Sequence, residues 1–141
     1  MNPEACPPKS EEHLIISGTV VSGTRKAAFF TQLDWVQSQC LQQLGFEPFP
    51  GTLNLRIAEQ DQPLASRVLN FPGLPLVPPD GTSCAGRVYP VYIGTIPGAI
   101  VLPEGSVRVH DTGVLEVLAP VSLREALHLE DGDLVSLAVR L

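Results

Sequence analysis

The chain has 141 residues, of which 44% are hydrophobic and 17% charged, with nine Lys and Arg against fifteen Asp and Glu for a formal net charge of -6. That length suits one domain burying about 70% of its unfolded surface and is too short for two well-packed ones. No apolar run approaches the roughly 20 residues of a membrane-spanning helix, and so few, scattered cations argue against nucleic acid as a partner, since phosphate contacts need clustered Lys and Arg.

An anionic small ligand stays compatible with the acidic total, because one pocket can be locally positive. The opening "MNPEACPPKSEEH" is acidic and Pro-rich and lacks the basic-then-apolar order of a secretory signal. Residues 1–13 therefore read as a flexible lead-in to a domain spanning 14–141, and the protein as cytoplasmic. Cys6, Cys40 and Cys84 are odd in number and form no C-x-x-C pair, so they read as reduced thiols and not as a disulfide framework or zinc site.

In chain order, "LIISGTVVSG" is β-branched and apolar around Gly18, which predicts a strand with a bend or bulge, closed by a turn at Ser22-Gly23. Leu33, Val36, Cys40, Leu41 and Leu44 recur at three- and four-residue steps, the stripe of an amphipathic helix, with Thr31 as its cap and Gly45 as its stop. The stretch "FPGTLNLRI" then alternates: Leu53, Leu55 and Ile57 share one face of a strand, Thr52, Asn54 and Arg56 the other. From about Glu59 to Gly81 the chain is Pro-rich and reads as loop, with a helical turn near Leu64 to Leu69.

Beyond Ala85, "AGRVYPVYIG", "GAIVLP" and "GVLEVLAP" are short β runs punctuated by Gly and Pro. "SLREALHL" reads as a short helix with Ser122 and Glu125 forming a capping box, and "DGDLVSLAVRL" as a turn and last strand. Closely spaced strands favour antiparallel connections, so the fold class is all-β with minor helices, arranged as a compact β-barrel.

Three places are candidates for chemistry. Thr52 and Asn54, at i and i+2, present a hydroxyl and a carboxamide side by side, two neutral oxygen donors of the kind Mg²⁺ takes alongside waters and substrate phosphates. A solvated strand face is the plainer reading of the same pair, and the Pro50-Gly51 corner before it would bring backbone close to a ligand. Glu116 is the lone charge in an apolar strand, so it either points to water or serves a partner. The start of "SLREALHL" offers free N–H groups, the positive end of a helix dipole and Arg124, a natural place for a phosphate, although most capped helices bind nothing. His13, His110 and His128 have no shared metal spacing, and no G-x-S-x-G, Walker or G-x-G-x-x-G motif is present.

Taken in order, "SGTVVSG", "LGFEPFPGTLNL", "GAIVLP" and "VLEVLAPVSLREALHLEDGDLVSLAV" closely resemble the CTP-dependent riboflavin kinases best known from archaea, over roughly Ile15 to Val139. The resemblance implies a six-stranded cradle-loop barrel transferring the terminal phosphate of CTP to the 5′-hydroxyl of riboflavin, giving FMN and CDP. It implies Mg²⁺ held by Thr52 and Asn54, Glu116 against the ribityl chain, Ser106 as a second flavin contact, and Val121, Ser122, Leu123 and Arg124 along the nucleotide. Gly23, Thr24, Arg25 and Lys26 fall in the loop that wraps the nucleotide. On this reading Glu116 orients or deprotonates the attacking hydroxyl, and the partners are riboflavin or FMN and CTP or CDP, bound by a monomer.

That first loop departs from the family pattern: Arg25 and Ala27 stand where two glycines are expected, and Ala28 where an Arg is expected. Two residues forced into left-handed backbone would cost about 2 to 4 kcal/mol, so the loop is expected to take another shape, with Arg25 and Lys26 supplying charge through side chains. Two other readings compete: a flavin- or nucleotide-binding barrel module without kinase activity, and a DNA-binding regulator of related fold. The absence of a helix-turn-helix segment before Leu14 and the acidic balance oppose the second.

Overall fold

The structure, a computed structural model, describes residues 13–23, 30–80, 86–103 and 113–140. Its elements are β1 (His13–Val21), α1 (Asp34–Leu44), β2 (Leu53–Ile57), α2 (Gln62–Leu69), β3 (Leu74–Leu76), β4 (Gly86–Ile93), β5 (Ile96–Pro103), β6 (Val114–Leu118), α3 (Leu123–Ala126) and β7 (Leu134–Arg140).

All strand pairings are antiparallel, in the order β3-β4-β5-β6-β2-β1-β7, and a further β4–β7 pairing joins the two ends. Six strands thus close a ring, as expected. The seventh, β3, is additional: Leu74–Leu76 pair with the first residues of β4, while Val91 and Tyr92 further along the same edge meet Val139 and Ala138 of β7. Closing the sheet removes the unpaired edges that an open sheet would offer to other chains.

Strand alternation decides what fills this ring. Ile16 and Val20 of β1, Leu53, Leu55 and Ile57 of β2, Tyr89, Val91 and Ile93 of β4, Leu115 and Val117 of β6, and Val135, Leu137 and Val139 of β7 all join one buried cluster. β1 runs through Gly18 in unbroken register with both neighbours, so no bulge forms there. What the glycine provides is room, since a Cβ at position 18 would lie 2.9 Å from the Arg56 carbonyl oxygen.

A second cluster lies where α1 covers the sheet, joining Val36 and Cys40, one helical turn apart, to Leu76, Val88, Ala99, Val101 and Leu118. The buried stripe is narrower than expected, with Leu41 49% exposed. Gly45 ends the helix as predicted, in left-handed conformation (φ 86°), its N–H donating to Leu41 O at 3.1 Å. Thr31 does not cap it: the N-cap position falls to Leu33, which makes no side-chain cap bond. Thr31 is instead fully buried, and its Oγ1 accepts a hydrogen bond from Gly51 N at 2.9 Å.

The segment read as loop after Ile57 is more regular than its prolines suggested. A 3-10 turn, Glu59–Asp61, leads into α2, where Pro63 takes an early helical position that needs no N–H donor. Asp61 Oδ2 accepts from Ser17 N at 2.9 Å, tying this segment to β1. Among the described residues, no helix is long and apolar enough to cross a membrane.

Candidate active site

The site is built on the pairing of β2 with β6, in which Leu53 faces Val117, Leu55 faces Leu115 and, between them, Asn54 faces Glu116. Because the flanking leucines and valine point into the core, Asn54 and Glu116 share the other face, at the separation where cross-strand side chains meet. Thr52 completes the group, its Oγ1 donating to Glu116 Oε1 at 3.0 Å. The lone charge of β6 therefore has a protein partner, and the two polar residues of "GTLNL" do not face bulk water alone.

Gly23 closes over this group from the end of β1. Val21 is the register partner of Asn54, and a Cβ on Gly23 would fall 2.8 Å from Asn54 Oδ1 and 2.6 Å from its Cγ. The corner before β2 is fixed from both sides: Gly51 sits at φ 107°, a conformation that favours glycine, and donates to Thr31, while Phe49 N donates to Ala119 O at 2.8 Å.

Between this corner and the segment after β6 lies a cleft of about 100 Å³. Phe49 to Leu53 form one wall, Val117 and Ala119 the floor, and Val121 to Arg124 the other wall. Thr52 and the four residues Val121, Ser122, Leu123 and Arg124 thus line a single space, with Glu116, Asn54 and Gly23 adjoining it through Thr52 and the β1–β2–β6 pairing. Thr24, Arg25, Lys26 and Ser106 lie outside the described residues.

Ser122 caps α3 as read, its Oγ accepting from Glu125 N at 3.3 Å. The helix is four residues long, however, so it lacks the aligned peptides of a sizeable macrodipole. Positive charge comes from the Arg124 side chain instead. Arg124 Nη2 donates to Asp131 Oδ1 at 2.6 Å and to Val21 O at 3.4 Å, and Asp131 Oδ2 accepts from Ser22 Oγ at 2.7 Å. The Ser22 hydroxyl first, and then Arg124, hold the Asp131 carboxyl below its ordinary range.

Phe49, Ala119 and Asp131 were not singled out by the sequence. Phe49 stands just before the Pro50-Gly51 corner, and Asp131 opens the "DGD" that reads as a turn. Among the described residues no three His, Cys, Asp or Glu gather as a metal site. The oxygens of Thr52, Asn54 and Glu116 are nonetheless hard donors that fit Mg²⁺, which keeps several waters and shares its shell with phosphates.

A closed antiparallel ring thus carries a Thr-Asn-Glu group beside an arginine-lined cleft, and sequence comparison gives its family. The CTP-dep_RFKase family, described as "Domain of unknown function DUF120", matches residues 20–139, and the chain belongs to it. Among its relatives, the riboflavin kinase of Pyrobaculum aerophilum is 38% identical over 128 residues, covering 88% of this chain and 60% of that protein. The riboflavin kinase of Methanoregula boonei is 37% identical, covering 90% and 58%, and that of Thermococcus kodakarensis 41% identical, covering 89% and 58%. The chain thus spans about 60% of the length of these curated relatives.

Proposed function

We propose that the protein is a CTP-dependent riboflavin kinase, transferring the terminal phosphate of CTP to the 5′-hydroxyl of riboflavin to give FMN and CDP. The observation carrying this reading is the convergence of Thr52, Asn54 and Glu116 on one strand face beside the cleft that Arg124 lines. Phosphoryl transfer asks for positioning and charge neutralisation more than for covalent chemistry, and these groups offer both.

Thr52 Oγ1 and Asn54 Oδ1 would hold Mg²⁺, whose chemistry when bound is to neutralise charge on the phosphates. Glu116 already accepts a hydrogen bond from one hydroxyl, that of Thr52, and in the same manner it orients the riboflavin 5′-hydroxyl and takes its proton. Arg124, with Val121, Ser122 and Leu123, lies along the nucleotide phosphates, and Gly23, Thr24, Arg25 and Lys26 approach them from the first loop. Ser106 is the further flavin contact. The apolar surface of Phe49, Val117 and Ala119 suits the face of a planar heterocycle. The protein acts on these small molecules as a cytoplasmic monomer.

The test is to incubate the purified chain with riboflavin, Mg²⁺ and each nucleoside triphosphate in turn, and to separate the flavins by chromatography. FMN formed with CTP, and not without Mg²⁺, is the expected result. Flavin or nucleotide binding without FMN from any donor would instead make the chain a non-catalytic binding module.

A further inference from the structure

We infer that Asp131 is a positioning residue for nucleotide binding, holding Arg124 and the end of β1 in the arrangement that receives a triphosphate; the inference rests on the nucleotide reading of the cleft. Asp131 itself does not line the cleft. Both its carboxylate oxygens are engaged, one by Arg124 Nη2 at 2.6 Å and one by Ser22 Oγ at 2.7 Å, so a single side chain joins α3 to the residue preceding Gly23.

The carboxylate is itself anchored to the ring. Gly132 N donates to Val20 O and Val20 N donates to Asp133 O, both at 2.8 Å, which fastens the turn to β1 by two backbone bonds. Asp133 Oδ2 accepts from Glu130 N at 2.9 Å and stiffens the same turn. Arg124, by contrast, stands on a four-residue helix with a long side chain that would otherwise sample many rotamers.

The bonds to Asp131 and Val21 both use Nη2. Among the described residues, Nη1 and Nε make none, which leaves donors for a phosphate. An exposed ion pair of this kind adds little to stability, so its effect is expected in ligand affinity. A purely neutralising Asp131 would act the other way and weaken anion binding.

The test uses the full chain and its Asp131→Asn, Asp131→Glu, Ser22→Ala, Arg124→Ala and Asp131→Asn/Arg124→Ala variants. Each is titrated calorimetrically with CTP in Mg²⁺, and FMN formation is followed in parallel. Asp131→Asn is expected to weaken CTP binding and raise the KM for CTP about tenfold, with kcat and the KM for riboflavin within about twofold of the parent. Asp131→Glu should recover most of the loss, Ser22→Ala should show part of it, and Asp131→Asn should add nothing to Arg124→Ala.

Unchanged or tighter CTP binding in Asp131→Asn, an equal loss toward riboflavin, or full additivity with Arg124→Ala would overturn the inference. Should Asp131→Asn fail to fold, Ser22→Ala and Asp131→Glu decide it by the same titration. A parent chain that binds CTP but forms no FMN would remove the kinase reading and leave the positioning role to be judged by affinity; one that binds no CTP would overturn both.

Discussion

Gly23 and Asn54 lie so close that a Cβ at position 23 would meet the carboxamide Cγ at 2.6 Å, a clash that the flexible Asn54 side chain relieves only by moving. Gly23→Ala is therefore expected to push Asn54 out of line with Thr52 and Glu116. A displacement of about 1 Å at a reacting centre can cost about 100-fold in rate, and a loss of that order is expected in FMN formation. The thermal midpoint should move little, because Gly23 is exposed and makes no core contact; unaltered kinetics in a folded Gly23→Ala protein would contradict this.

Glu116→Gln removes a proton acceptor but keeps a carbonyl oxygen that the Thr52 hydroxyl can still reach. Turnover is expected to vanish while CTP affinity, measured by titration, stays within about twofold of the parent. An undiminished rate would remove Glu116 from the chemistry.

Replacing both Thr52 and Asn54 with Ala takes away the two neutral oxygens that share a face with Glu116. The expected result is loss of at least about tenfold in the Mg²⁺-dependent part of nucleotide affinity, with binding in the absence of metal unchanged. Isothermal titrations with and without Mg²⁺ separate the two.

Thr31→Val keeps the shape of a fully buried side chain but leaves the Gly51 N–H without its acceptor. The expected cost is about 1 to 3 kcal/mol in denaturant unfolding. Because that bond fixes the corner leading into Thr52, activity should fall as well.

Burial pushes the Cys40 thiol up to about 11 from 9.0. The folded state holds this proton more tightly than the unfolded one, so stability is unaffected below pH 9 and falls as pH rises toward about 11. Cys40 is accordingly expected to resist thiol reagents at pH 8 until the chain is unfolded, which a timed labelling experiment reads directly.

At the acid end the sign reverses. The Asp131 carboxyl is lowered by the Ser22 hydroxyl and by Arg124, so its contribution is present above the ordinary carboxylate range and lost as pH falls below it. A carboxyl NMR titration is expected to place Asp131 below the ordinary Asp range, and Ser22→Ala to bring it back toward that range.

The individual polar residues of the site were legible in the sequence because strand alternation is local: once Leu53, Leu55 and Ile57 face the core, Thr52 and Asn54 cannot. Alternation alone does not reveal their meeting with Glu116, which only the family resemblance implied, since register between two strands far apart in the chain is a property of the whole ring. Thr31 was misread for the same reason. Its position before a helix suggested a cap, whereas the partner that claims its hydroxyl is Gly51, across the fold.

β3 was hidden among prolines. Pro75 occupies it because this short strand lies outside the ring, pairing with β4 as an added edge where a missing N–H is tolerated. The closing helix was overestimated in length, since its local pattern does not reveal that His128 takes a left-handed backbone (φ 55°) and ends the turn. Asp131 carried no signal beyond a turn motif, and its two partners become visible only when β1 and α3 are seen side by side.

The pairing of β1 with β7, from His13 opposite Arg140 to Thr19 opposite Leu134, sets the order of events when this chain is made. An early-synthesised strand must wait with one flank unsatisfied until nearly the whole domain has left the ribosome, and contacts so distant along the polymer form slowly. Val20 and Asp133, whose backbones meet at that seam, tie the Asp131 turn to β1. Nascent chains halted before the last strand should therefore be protease-sensitive, however well their earlier hairpins have formed.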